Sequence, residues 1–329
     1  MDPNVANDVY SRYGLEWANF PQPTPPSAHS DAAELFCARL SLAVYAVHPD
    51  TPHSPRHDYV PSKNREVLAA VPGIEALIEG GRSESPEEAA PEAPDQGFRT
   101  VVTDQAAAAL IWKNDHLIIG FRGTANWQDW IHNLTGKPIN TKTISQGDDY
   151  KLHKGFTGLA QNIFPTVAQQ VHAHFLQRDR PGILTVCGHS LGGALALNFA
   201  TQWREVHQQF RYYGDPGNVP AEVAATYTFG APRIGTGNIW DFIERPHYRL
   251  RVTGDPVPAL PRGFAEDYQA TFLAKPGYLA EQPRTFPGKI IKAGAARLPR
   301  LGVDLKAHQI ETYIEAIENK IDTAAAARR

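Results

Sequence analysis

The chain has 329 residues, 42% of them hydrophobic and 20% charged, with a formal net charge of −3. That composition is globular and the length supports a sizeable core, while the near-neutral charge leaves no electrostatic footprint for nucleic acid as a partner. Two cysteines, Cys37 and Cys187, exclude a disulfide framework and a four-cysteine zinc site. The longest wholly apolar run, residues 106–112, is far short of a bilayer span, so no transmembrane segment is expected. The opening MDPNVANDVYSRYG has no basic or apolar region of a secretory leader. A cytoplasmic location with reduced thiols is therefore the default expectation, with leaderless export left open.

In chain order, residues 31–47 (DAAELFCARLSLAVYAV) carry apolar residues at helical spacing behind a capping Asp31. A second helix is predicted over 64–79. It is followed by a Pro/Glu-rich surface loop at 79–97, which offers little to bury. Residues 98–104, 107–114 and 116–122 then read as successive strands, with Lys113-Asn114-Asp115 as a turn. Trp127, Trp130, Ile131 and Leu134 share one face of a predicted helix. Residues 154–178 predict a long helix that Pro165 kinks or breaks. A strand at 183–187, a helix at 191–206, strands at 225–230 and 248–254, and a helix at 308–321 complete the pattern. Strands alternating with helices imply a mostly parallel sheet covered on both faces. The whole reads as a single α/β domain over 1–329: a helical N-terminal extension (1–97) and a core (98–321).

The chemistry centres on Gly188-His189-Ser190-Leu191-Gly192, where a strand ends and a helix begins. That context forms a nucleophile elbow: a strained turn lifts the serine hydroxyl out of the sheet, and the flanking glycines let the helix pass close to the strand. A serine hydroxyl needs a base, and in such elbows the acid and then the histidine follow the serine in sequence. His247 and His308 both come after the elbow helix. His247 precedes its strand and so falls at the wrong end of the sheet, whereas His308 lies at a loop-to-helix junction. Asp255 directly follows the strand 248–254; Asp241, Asp267 and Asp304 have no such position. Donors for a developing oxyanion come from the N–H of Leu191 and from Thr124, which follows the sharp turn at Gly123.

The pieces IIGFRGTANWQDWIHNL (118–134), LHKGF (152–156), VCGHSLGGALA (186–196), YTFGAPRIG (227–235), YRLRVTGDPVPALP (248–261) and AHQIETY (307–313) together resemble the class 3, fungal-type triacylglycerol lipases of the α/β-hydrolase fold. The resemblance implies Ser190 as nucleophile with Asp255 and His308, and Thr124 and Leu191 as the oxyanion hole; where the family pattern puts an acid supporting the oxyanion residue this chain has Asn133, whose amide can still accept from Thr124 but without charge. It also implies a short lid at 125–134, with Trp127, Trp130, Ile131 and Leu134 on the apolar face toward substrate. The expected activity is hydrolysis of acylglycerol or related fatty-acyl esters, with no cofactor or metal. The alternatives carried are a phospholipase A-type membrane-attacking effector and a catalytically silent lipid-binding module. The expected partner is a lipid or small ester, with transient contact at a lipid surface. Residues 289–303 interleave basic and apolar side chains, and are read as a solvated loop or core-facing helix ahead of a lipid-contacting one. Tyr45 is read as a core tyrosine ahead of a pocket residue, and His153 as structural.

Overall fold

In the computed structural model the described residues are 20–21, 29–47, 96–103, 105–124, 150–176, 182–213, 221–237, 239–243, 246–261, 264, 271–273 and 305–328. The predicted helix at 64–79, the stretch 125–149 with the lid residues and Asn133, and the basic stretch 289–303 lie outside them.

Helix α1 (Asp31–Ala43) opens one residue before the predicted cap: the Ser30 hydroxyl accepts from the Ala33 N–H at 3.2 Å. Asp31 and Glu34 then fall in the first turn, where the helix dipole favours them. The chain continues as a 3-10 turn over Val44–Val47. Strands β1 (Gln96–Val102), β2 (Ala107–Lys113) and β3 (His116–Phe121) form an antiparallel meander. Its β2–β3 turn uses Asn114 at φ +52°, a conformation asparagine tolerates better than most residues. Strand β5 (Ile183–His189) then pairs parallel with β3, and β6 (Val223–Phe229), β8 (His247–Val252) and β9 (Thr271–Leu273) extend the parallel part. The described sheet has the order β1-β2-β3-β5-β6-β8-β9.

Alternation along these strands builds two cores. Ile118 and Cys187 face one side with Phe36 and Leu40 of α1 and with Tyr313 and Ile317 of the closing helix α5 (Ile310–Ala326). Leu117, Ile119 and Val186 face the other, with Val167 and Val171 of α2 (Lys154–Leu176) and Leu195, Phe199 and Trp203 of α3 (Leu191–Tyr213). Lys320 closes the first face at its edge, bonding Glu34 at 2.6 Å and Asp31 at 3.0 Å, so the acidic first turn of α1 is pinned to α5. Cys37 and Cys187 are fully buried, and burial beside Cys187 pushes the Cys37 thiol well up. Both act as small core hydrophobes.

Several expectations needed correction. Helix α2 runs unbroken through Pro165; the buried Ile163, Phe164 and Val167 hold both of its halves against the core. The elbow strand reaches His189 rather than stopping at Cys187, and its helix extends to Tyr213. Three short strands were not foreseen: β4 (Tyr150–Leu152), its partner β7 (Gly235–Gly237), and β9. A short helix α4 (Ile239–Phe242) was also missed. No helix among the described residues is long and apolar enough to cross a membrane.

His116 begins β3 and bonds the Thr185 hydroxyl at 2.9 Å with 4% of its surface exposed. Burial pushes its imidazole from 6.5 down to about 4. Between those values the unfolded chain holds a proton that the folded chain refuses, so stability falls as pH drops through that window. The His116 contribution lost between pH 7 and 4.5 is roughly 2 kcal/mol. Urea unfolding at the two pH values should show a smaller acid loss in His116→Gln than in the wild type, and equal losses contradict the burial account.

Candidate active site

The end of β5 sets the geometry. Ser190 follows it at φ +56°, a left-handed conformation unusual for any residue but glycine and asparagine. The turn is held from both sides: the Ser190 N–H donates to the Phe229 carbonyl at 2.9 Å, and the Ser190 carbonyl accepts from the Gly193 N–H at 3.0 Å. Glycine is required at two positions around it. A Cβ on Gly188 would collide with the Gly192 carbonyl, and one on Gly192 with the Phe121 carbonyl. The start of α3 therefore packs directly on the turn after β3, residues 121–123.

Two other elements converge on the serine. His308 ends a 3-10 turn (Leu305–His308) just before α5, and its Nε2 lies 2.8 Å from Ser190 Oγ. Asp255 stands in the turn after β8, with its Oδ2 2.9 Å from His308 Nδ1. A carboxylate oxygen accepts, so Nδ1 carries the proton and Nε2 is left to accept from the serine hydroxyl. The Asp255 carboxylate is fully satisfied, because Tyr313 O–H donates to Oδ2 at 2.6 Å and the Val257 N–H to Oδ1 at 2.9 Å. Burial and the Asp255 charge push the Tyr313 hydroxyl well up, keeping it a donor. All four side chains are buried: Ser190 1%, Asp255 5%, His308 1% and Tyr313 0% exposed. In so dry a site each bond is strong, and an unmade one is costly.

The two residues expected to hold an oxyanion, Leu191 and Thr124, are both among the described residues. Leu191 is the first helical residue, so its N–H has no acceptor within the helix. Thr124 ends the 121–124 segment that packs against the helix start. The remaining expected site residues, Asn133, Trp127, Trp130, Ile131 and Leu134, lie outside the described residues. His247 is the first residue of β8, bonded to the Thr228 hydroxyl at 3.1 Å and stacked on Trp240. His153 stacks on Phe156 with ring centroids 3.9 Å apart.

Sequence reasoning gave no role to Tyr313 or His189, although both lie inside quoted motifs. The signal available for Tyr313 was general: a buried tyrosine needs a partner for its hydroxyl, and this one falls five residues after His308. Gly230, at φ +59°, was also passed over. A Cβ there would lie 2.8 Å from Asp255 Oδ2, 3.0 Å from Tyr313 Oη and 3.1 Å from His308 Nδ1.

A parallel sheet preceded by an antiparallel meander, with a strained serine between strand and helix, is the arrangement of the α/β-hydrolase fold. Residues 118–264 match the family model described as Lipase (class 3). The lipase of Rhizomucor miehei is 30% identical over 168 residues, covering 50% of this chain and 43% of that one. A chloroplastic phospholipase A(1) of Arabidopsis thaliana is 21% identical over 255 residues, 69% of this chain and 54% of the relative. The secreted mono- and diacylglycerol lipase A of Penicillium cyclopium is 26% identical over 165 residues, 49% and 48% of the two chains. The chain spans about half the length of the curated relatives it matches. The expected cytoplasmic location does not stand, because the relatives are named as secreted or chloroplastic.

Gly230→Ala should cost about 1–3 kcal/mol in urea unfolding, from overpacking and an unfavourable φ. An unchanged midpoint would mean that the Asp255–His308–Tyr313 cluster has slack the geometry denies.

Proposed function

We propose that the protein is a serine carboxylester hydrolase that cleaves fatty-acyl esters of glycerol or related alcohols. One catalytic α/β-hydrolase domain carries the activity, with residues 98–321 as its core and 1–97 as an N-terminal extension. The observation supporting this reading is the unbroken chain Ser190–His308–Asp255, with contacts of 2.8 and 2.9 Å, behind a strained elbow. In this reading the Ser190 hydroxyl attacks the ester carbonyl and His308 Nε2 takes its proton. Asp255 orients the imidazole and stabilises the cation that forms. The Leu191 N–H and Thr124 receive the oxyanion. As the tetrahedral intermediate collapses, its ester C–O bond breaks and the alcohol leaves with the proton held by His308. Water then adds to the acyl-serine, His308 again accepting a proton, and the fatty acid is released as that proton returns to Ser190. A complete, satisfied relay also favours an enzyme over a silent lipid-binding module, which has no use for all three groups.

A second reading, attack on the acyl ester of a phospholipid, is favoured by the likeness to the Arabidopsis phospholipase A(1). The residues around Ser190 serve either substrate, since both present an ester carbonyl. What distinguishes the two is recognition of the head group.

Purified protein should hydrolyse p-nitrophenyl esters, and Ser190→Ala should lower kcat by about 10⁴-fold or more. Activity on emulsified triacylglycerol against phosphatidylcholine vesicles separates the two substrate readings. Hydrolysis that survives in Ser190→Ala contradicts the assignment. Tyr313→Phe should keep KM and lower kcat roughly tenfold, the value of one hydrogen bond to a buried carboxylate; unchanged kcat removes Tyr313 from the relay.

A further inference from the structure

Beside the relay runs a second hydrogen-bonded chain that the reaction as written does not use. His189, the last residue of β5, has Nε2 2.7 Å from the backbone carbonyl of His308 and Nδ1 2.9 Å from the Tyr45 hydroxyl. A carbonyl oxygen only accepts, so Nε2 of His189 donates to it. Nδ1 must then accept, and Tyr45 O–H donates to Nδ1. The proton order is fixed from end to end: Tyr45 to His189 to the backbone of His308. The ring of His189 lies 4.8 Å from that of His308. Its burial and the nearness of His308 hold it far below its usual value, so it stays neutral beside a ring that must become a cation.

Tyr45 also touches the other half of the site. A Cβ on Gly123 would collide with its hydroxyl, and the Arg122 guanidinium lies 5.9 Å above its ring. Tyr45 sits on the 3-10 turn after α1, in a part of the chain outside the 118–264 family match. We infer that Tyr45, acting through His189, is a positioning residue that fixes His308 over Ser190 and braces the 121–124 segment, so that the N-terminal helix segment completes the active centre. This rests on the serine-hydrolase reading above.

The test is a mutant cycle on a soluble p-nitrophenyl ester, with Ser190→Ala as control and folded fraction followed by circular dichroism. Tyr45→Phe should lower kcat roughly tenfold with KM within about twofold, because the lost bond positions the relay rather than the substrate. His189→Leu should lower kcat further. His189→Gln, whose amide can still donate to the His308 carbonyl, should recover most of that loss. In the His189→Gln background Tyr45→Phe should cost less than about twofold, since no imidazole remains to be ordered. Equal Tyr45→Phe losses in both backgrounds, or a loss confined to KM, overturn the inference and leave tyrosine packing as its role. If Tyr45→Phe does not fold, imidazole ¹⁵N shifts of the wild type decide. A neutral His189 protonated on Nε2 upholds the order of donors, and a proton on Nδ1 overturns it. Failure of the underlying reading looks different: a wild type without esterase activity, or one matched by Ser190→Ala, removes both.

Discussion

Everything at this site depends on one backbone conformation, Ser190 at φ +56° at the end of β5. A residue in that conformation reverses the chain so abruptly that α3 starts on top of the strand it has just left. Such closeness requires bare backbone where they cross, which is why Gly188 and Gly192 cannot carry a Cβ. The strain is held by bonds at both faces of the turn, including the one from the Ser190 N–H to Phe229 on the neighbouring strand. The same crossing presses the start of α3 onto residues 121–123. One strained turn thus presents the serine hydroxyl and brings the start of α3 against the turn after β3.

The second requirement is a buried charge kept in order. Asp255 is enclosed, and its carboxylate is tolerable only because His308, Tyr313 and the Val257 N–H all donate to it. These donors come from the 3-10 turn at 305–308, from α5 and from the acid's own turn, so the closing helix is part of the site. Helix α1 is joined to α5 through Lys320 and through the shared core of Phe36, Leu40, Tyr313 and Ile317. Helices α1 and α5 therefore meet on the face of the sheet that supports the relay.

The residues that lay in strong local patterns were legible in the sequence. Strands β2 and β3 are apolar over most of their length, the elbow has its glycines, and Asp255 and His308 follow from strand ends and order along the chain. Strands β4, β7 and β9 have three residues each, too few for any period to register. Pro165 does not break α2: proline propensity is local, while the packing that holds α2 together comes from β-strands elsewhere. Tyr45, His189 and Tyr313 act through contacts across 144, 119 and 58 positions of sequence. The rules of strand end and chain order that single out Asp255 and His308 do not apply to these three, so their contacts appear only in the folded arrangement. The location failed for a different reason: composition says little about where a fold is used.

The central claim is that Ser190, among all the hydroxyls of the chain, is the activated nucleophile. The direct measurement is covalent labelling by a p-nitrophenyl alkylphosphonate, followed by intact mass and peptide mapping. The account predicts one adduct per chain, on Ser190, at a rate that collapses in His308→Ala. No adduct on folded protein, an adduct on another residue, or labelling indifferent to His308 contradicts it.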